Sequence, residues 1–106
     1  MANTGVGFGA ALDLLKSGEK MGRAGWVEHG KFIVYQKGYP KGIPCNSQTA
    51  DAWGLKIGEK FICNPYLQIR NQDGSHSMYS PTSDDVLAED WVIYMSKDEA
   101  KQAGII

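Results

Sequence analysis

Residues 66–79 read YLQIRNQDGSHSMY, and the fold class turns on them. Asp73-Gly74 sits between two short apolar-rich stretches, Leu67–Arg70 and Ser77–Tyr79, which is a strong hairpin signal. Upstream, Lys60–Cys63 reads as another strand, separated from Tyr66–Asn71 by Asn64-Pro65, where a proline fits only an edge or a bulge. Downstream, Pro81 suits a first helical turn and Thr82 stands three residues before Asp85 in the spacing of a capping pair, so one or two helical turns are predicted over Thr82–Ala88. Trp91–Met95 (WVIYM) then closes as a strand, and Lys97–Ala103 in the tail forms a short helical turn.

Working toward the amino terminus, Asn46 or Ser47 caps a helix over Gln48–Trp53 that Gly54 stops, and Leu55–Glu59 turns the chain. Gly38, Pro40, Gly42 and Pro44 make Lys37–Cys45 a loop. Lys31–Gln36 (KFIVYQ) is a clear strand by its β-branched and aromatic content, and Lys20–Ala24 a shorter one. Phe8, Ala11, Leu12 and Leu15 recur at helical spacing, with Lys16 in the last turn and Gly18 after it, so a helix is predicted from Phe8 to Ser17. The sum is an α+β domain: an antiparallel sheet of about five strands with one N-terminal helix packed on it and short helical turns in the connections.

The 106 residues, 42% hydrophobic and 22% charged, are enough for one domain, read as a core over residues 8–94 with a flexible leader (1–7) and a tail (96–106). Eleven Lys and Arg against twelve Asp and Glu give a formal charge of -1, which argues against a nucleic-acid polymer as partner. Apolar runs are only of strand length and no signal peptide is recognised, so neither a membrane span nor export is expected, and the protein is placed in the cytoplasm. Cys45 and Cys63 make no disulfide framework or CxxC pair and read as small, half-buried thiols. His29 and His76 lack partners at zinc-ligand spacing, so no metal and no cofactor is expected.

Gly5, Gly7 and Gly9 precede a helix but have no strand before them and lack the dinucleotide-binding spacing. The acidic residues Asp84, Asp85, Glu89 and Asp90 could hold a cation, although helix capping explains Asp84 and Asp85 more simply. No nucleophile, base and acid occur in a recognisable motif. What stands out is aromatic residues beside turns: Trp26, Tyr39, Trp53, Tyr66 and Tyr79. Trp91, inside an apolar strand, reads as core. Trp26 beside Gly25 and Arg23 reads as an exposed ring offering a stacking surface, with a guanidinium fork for phosphate.

Phe8-Gly9-Ala10-Ala11-Leu12, Leu15, Gly18, Lys20-Met21, Arg23, Gly25-Trp26, Asn46-Ser47-Gln48-Thr49-Ala50 and Gly54-Leu55 resemble a small phage and prophage domain. Tyr66-Leu67-Gln68-Ile69-Arg70, Asp73-Gly74, Tyr79, Thr82, Asp85 and Leu87-Ala88-Glu89-Asp90-Trp91 follow the same family in order and spacing, so the likeness runs from Phe8 to Tyr94. The family is that of the second type of phage Thoeris anti-defence proteins. The resemblance implies a sponge that sequesters glycocyclic ADP-ribose, the signal of TIR-domain enzymes, without turning it over. It also implies pockets shared between protomers of a homo-oligomer, a tetramer in known members, and in some members separate capture of CBASS cyclic di- or oligonucleotides. Tyr79 stands where the family often has Trp, and Ser80-Pro81 also departs from the common pattern.

On that resemblance Trp26 is expected to stack on a base or ribose, with Gly25 at its side. Arg23 is expected to pair with phosphate, and the Thr82 hydroxyl to meet phosphate or ribose oxygens. Asp85 either accepts from an adenine amino group or ribose hydroxyl, or serves as a helix cap. Tyr79 and Asn64 are lesser candidates as pocket walls, and Arg70 reads as a surface charge on a strand. Ile43, Ile105 and Ile106 are candidate contacts between copies. A hydrolase of the same signals, and an inhibitor that covers a host defence protein, remain as alternatives.

Overall fold

The computed structural model describes residues 5–95, in two compact units: residues 5–35 with 67–95, and Gln36–Tyr66. The first unit is built on an antiparallel sheet of five strands, β1 (Met21–Arg23), β2 (Phe32–Gln36), β5 (Tyr66–Arg70), β6 (His76–Met78) and β7 (Trp91–Ile93), in the order β6-β5-β2-β1-β7. The α+β class is as the sequence indicated. The hairpin is there too: Gln68, Ile69 and Arg70 face Met78, Ser77 and His76. Its turn is closed by Asp73, whose Oδ1 accepts from the Ser75 amide (2.9 Å) and hydroxyl (2.6 Å). The Ser75 bonds hold the Asp73 carboxyl below the usual carboxylate range.

Helix α1 (Phe8–Lys16) lies against β1 and β7. Its predicted stripe is its inner face: Ala11 and Leu15 are fully buried, with Phe8, Leu12 and Leu14 packed around the same core. That core joins them to Met21, Ile33, Ile69 and Trp91, from four of the five strands. Each of the large side chains contributes roughly 1.5–3 kcal/mol by leaving water. Burial therefore fixes which face of α1 meets the sheet.

Three features of this unit depart from the sequence reading. Residues 5–7 were expected in a leader, yet Val6 and Trp91 exchange backbone hydrogen bonds of 2.8 and 3.1 Å. A four-residue helix, α2 (Ala24–Val27), follows β1 directly, and the chain returns close over that strand: a Cβ on buried Gly22 would lie 3.0 Å from the Lys31 carbonyl. Arg70 is not a surface charge, since its Nη1 donates to the Gly30 carbonyl at 2.6 Å and ties β5 to the turn before β2. Helix α4 (Ser83–Leu87) starts as expected, with Thr82 Oγ1 accepting from the Asp85 amide at 3.2 Å.

The second unit holds the two-stranded antiparallel sheet of β3 (Tyr39–Pro44) and β4 (Lys60–Cys63), with α3 (Ser47–Trp53) between them in sequence. Lys37–Cys45 is therefore mostly strand, not loop. A two-stranded ribbon consists only of edges, so Pro40 and Pro44 withhold no ladder bond that a central strand would need, and an irregularity between Tyr39 and Ile43 absorbs the rest. Asn46 caps α3 through Oδ1, accepting from the Thr49 amide at 2.9 Å, and Gly54 ends it in the left-handed conformation at φ 71°. Cys45 is buried, its thiol donating to the Lys56 carbonyl at 2.9 Å, while Cys63 is half-buried; both are free thiols. The expected leader residues 1–4 and the tail from residue 96, with its helical turn and Ile105 and Ile106, lie outside the described residues.

Candidate functional site

Arg23 ends β1, opposite Trp91 on β7, and directly precedes α2. This position aims its guanidinium at two carboxylates from the other end of the chain. Nε donates to Asp90 Oδ1 at 2.6 Å and Nη1 to Asp85 Oδ1 at 2.9 Å. The Asp90 bond is the main cause raising the Arg23 pKa, against partial burial, with Asp85 adding to it. The guanidinium is thus permanently charged and held in place.

Asp85 is the hub of the cluster and, at 8% exposed, the one buried polar or charged residue among the described residues. Besides Arg23, it accepts the Tyr79 hydroxyl on Oδ2 at 2.6 Å, while its backbone carbonyl accepts Trp91 Nε1 at 2.8 Å. Burial pushes its carboxyl up, but the bonds from Tyr79 and Arg23 and those at Thr82 outweigh this, and the net shift is downward. For Tyr79 the same contact works the other way: burial first, then the bond to Asp85, pushes its hydroxyl well above the ordinary value of 10.0. Asp85 remains ionised and Tyr79 neutral across the physiological range, which makes Tyr79 a fixed donor.

Trp26, on α2, is half-buried instead of standing free. Its ring meets Trp91 edge to face at 5.3 Å and Tyr79 at 6.2 Å, with interplanar angles of 80° and 84°. Trp91, as expected, is fully buried, and also takes Phe8 edge-on at 5.4 Å. The Lys31 ammonium lies 4.4 Å from the Trp26 centroid. Gly25 is exposed, and a Cβ built there would meet nothing within 4 Å, so packing within this chain does not require a glycine.

Of the residues singled out in the sequence, Arg23, Gly25, Trp26, Tyr79, Thr82 and Asp85 come together around the ends of β1, α2 and α4. Asn64 does not belong to this group: it is exposed, in the connection between β4 and β5, within the second unit. Three participants had no local signal. Asp90 reads as an acid in a charged patch, Lys31 as the first residue of a strand, and the indole nitrogen of Trp91 as part of an apolar run. Their roles depend on contacts across as many as 67 residues. Among the described residues there is no group of three or more His, Cys, Asp or Glu able to hold a metal, and no helix is long and apolar enough to cross a membrane.

The geometry defines a class: small α+β domains in which a half-buried indole, a cation and a shared ion-pair cluster gather at the ends of strands. Sequence comparison gives the class its family. The family model described as the Thoeris anti-defense 2-like domain matches residues 6–94, and the chain belongs to that family. It is similar to a protein of Bacillus phage SP01 called "Thoeris anti-defense 2", with 31% identity over 94 residues that cover 85% of this chain and 96% of the relative.

Proposed function

We propose that the protein is a phage counter-defence factor that captures cyclic nucleotide immune signals and holds them without degrading them. The signals are glycocyclic ADP-ribose and, as a second class, the cyclic di- or oligonucleotides of CBASS. Thoeris immunity, and CBASS immunity where those ligands fit, is blocked in the cytoplasm of the infected host. Family membership and the likeness to a phage protein of that name support the action against Thoeris.

The observation that carries the capture reading is the Trp26 ring, braced edge-on by Trp91 and Tyr79 beside the open position at Gly25. A ring already fixed in orientation loses little freedom when a base stacks on it, and a ligand can approach the backbone closely at a glycine. Thr82, exposed at the start of α4, offers its hydroxyl to ribose or phosphate oxygens, with Tyr79 as a wall. Asp85 acts mainly by holding Arg23 and Tyr79 in place, because both its carboxylate oxygens already accept from them.

A domain of this size encloses a ligand best when copies share the pocket, so the active species in this reading is a homo-oligomer, and the family resemblance implies a tetramer. Exposed Trp53, Ile57 and Ile62 are candidate contacts between copies; Ile43 is half-buried. The deciding experiment incubates the protein with glycocyclic ADP-ribose and a panel of cyclic dinucleotides, measures binding by calorimetry, then heats the complexes and identifies the released molecules by mass spectrometry. Tight binding followed by release of intact ligand is expected. A chemically altered product would make the protein a hydrolase, and no binding to any of the probes would favour an inhibitor that acts on a host protein.

A further inference from the structure

The sequence points to Arg23 as the phosphate receptor, but its surroundings argue otherwise. One guanidinium charge faces two carboxylates, Asp90 at 2.6 Å and Asp85 at 2.9 Å, so the trio carries a net negative charge. A phosphate brought to Arg23 would approach a guanidinium whose charge two nearby carboxylates already exceed, and their repulsion offsets much of the attraction.

Lys31 is placed differently. Its ammonium rests over the Trp26 ring at 4.4 Å, and among the described residues no carboxylate pairs with it. Its backbone is pinned on both sides: the Lys31 amide donates to the Trp26 carbonyl at 3.2 Å, and the preceding Gly30 carbonyl accepts from Arg70 at 2.6 Å. A fixed backbone with a four-carbon stem gives a cation that stays within reach of the ring yet can swing from it. A cation–π contact is weaker than a charge-assisted hydrogen bond to phosphate, so an arriving phosphate would draw the ammonium off the ring and uncover the face on which a base stacks.

We infer that Lys31, rather than Arg23, is the cation that receives the phosphate of a nucleotide bound at Trp26, and that in the free protein it covers the ring face the base will occupy. Arg23 is a positioning residue that fixes Asp85 and Asp90 beneath the site. This inference rests on the nucleotide-capture reading above, and the test separates the two.

Calorimetry is run on the wild type, Lys31→Met and Lys31→Arg, with glycocyclic ADP-ribose and with adenosine as a phosphate-free probe; thermal melting checks the fold. Lys31→Met keeps an unbranched apolar stem over Trp26, so the melting temperature should be unchanged. Its affinity for glycocyclic ADP-ribose should fall by at least about tenfold, the scale of a lost charge-assisted bond. The salt dependence of that binding should also weaken, while adenosine binding is retained or improved. Lys31→Arg should restore the charged ligand. Equal affinity of wild type and Lys31→Met for glycocyclic ADP-ribose would overturn the assignment while leaving the capture reading intact. A parallel loss with adenosine would show a packing role and overturn it as well. A wild type that binds neither probe would remove the capture reading and this inference with it.

Discussion

Residues 5–35 and 67–95 turn their large side chains inward, with Trp91, Leu15, Met21 and Ile33 fully buried, whereas in Gln36–Tyr66 the buried residues are the small Cys45 and Ala50. Several big apolar side chains of that second unit face out instead: Trp53 is 78% exposed, Ile57 74% and Ile62 68%, while Ile43, Leu55 and Phe61 are half-buried. Apart from those two buried side chains, it is ordered by backbone pairing, the Asn46 cap and hydrogen bonds around Cys45, including Cys45 N–H to the Glu59 carbonyl at 2.9 Å. One region has its own core and carries the proposed site. The other exposes Trp53, Ile57 and Ile62 to solvent, candidates for contacts between copies. Within one short chain, the buried core and several of the most exposed large apolar side chains thus lie in different segments.

The strongest attempt to break that comparison is Trp91→Ala. It empties the centre of the first unit and removes the indole bond to the Asp85 carbonyl and the edge contacts to Phe8 and Trp26. A loss of about 3–5 kcal/mol is expected, a large part of the stability of a small domain. Urea unfolding followed by circular dichroism measures it, and a loss below about 1 kcal/mol would show that the core is not where burial places it.

Asp85→Asn comes next, at about 1–3 kcal/mol, because the Arg23 and Tyr79 bonds lose their ionised acceptor. Its signature is pH dependence. The Asp85 carboxyl titrates lower in the folded protein than its ordinary 3.8, so the unfolded chain binds the extra proton first and stability is lost as pH falls below about 3.8. Tyr79 is shifted upward from 10.0, so its contribution is complete below that pH and is lost as pH rises above it. Stability curves across pH should show the acid limb flattened in Asp85→Asn and the alkaline limb flattened in Tyr79→Phe. Unchanged limbs would mean that the cluster is not held by these charges.

The two units also differ in how readily they are read from sequence. In the first, local chemistry and the final fold agree at the main elements, though not at residues 5–7, α2 or Arg70: the apolar stripe of α1 becomes its buried face, Asp73-Gly74 turns the hairpin, Thr82 caps α4, and WVIYM supplies the central Trp91. In the second, the Asn46 cap, the Gly54 stop and strand β4 are legible, but prolines and glycines speak for a loop over 37–45 although most of it is β3, because the rule against proline applies to strands bonded on both sides and β3 is bonded on one. The site was legible in its residue types but not in its connections. Arg23 announces an anion, yet only the fold reveals that Asp85 and Asp90 already neutralise it. Lys31 looks like a strand end until the turn at 28–30 folds it back onto Trp26.

The smallest effect on stability, and the sharpest test of the contrast, belongs to Trp53→Ser. The side chain is exposed at the end of α3, so removing it should change unfolding free energy by no more than about 0.5 kcal/mol, a tenth or so of the expected loss at Trp91. Association should respond in the opposite proportion. If the outward face of Gln36–Tyr66 is where copies meet, burying an indole there contributes far more to assembly than to folding, since exposed aromatic anchors dominate contact energies. Light scattering coupled to size-exclusion chromatography should then show a drop in mass for Trp53→Ser with the melting curve of the dissociated chain preserved. A wild type that already runs as a monomer would end the argument that this surface joins copies, and a variant that keeps full mass would move the contact to other exposed apolar residues, such as Leu87 at 78% and Met78 at 72% exposure in the first unit. In that second case the region with the core would also carry the association, and the division of labour between the two units would no longer hold.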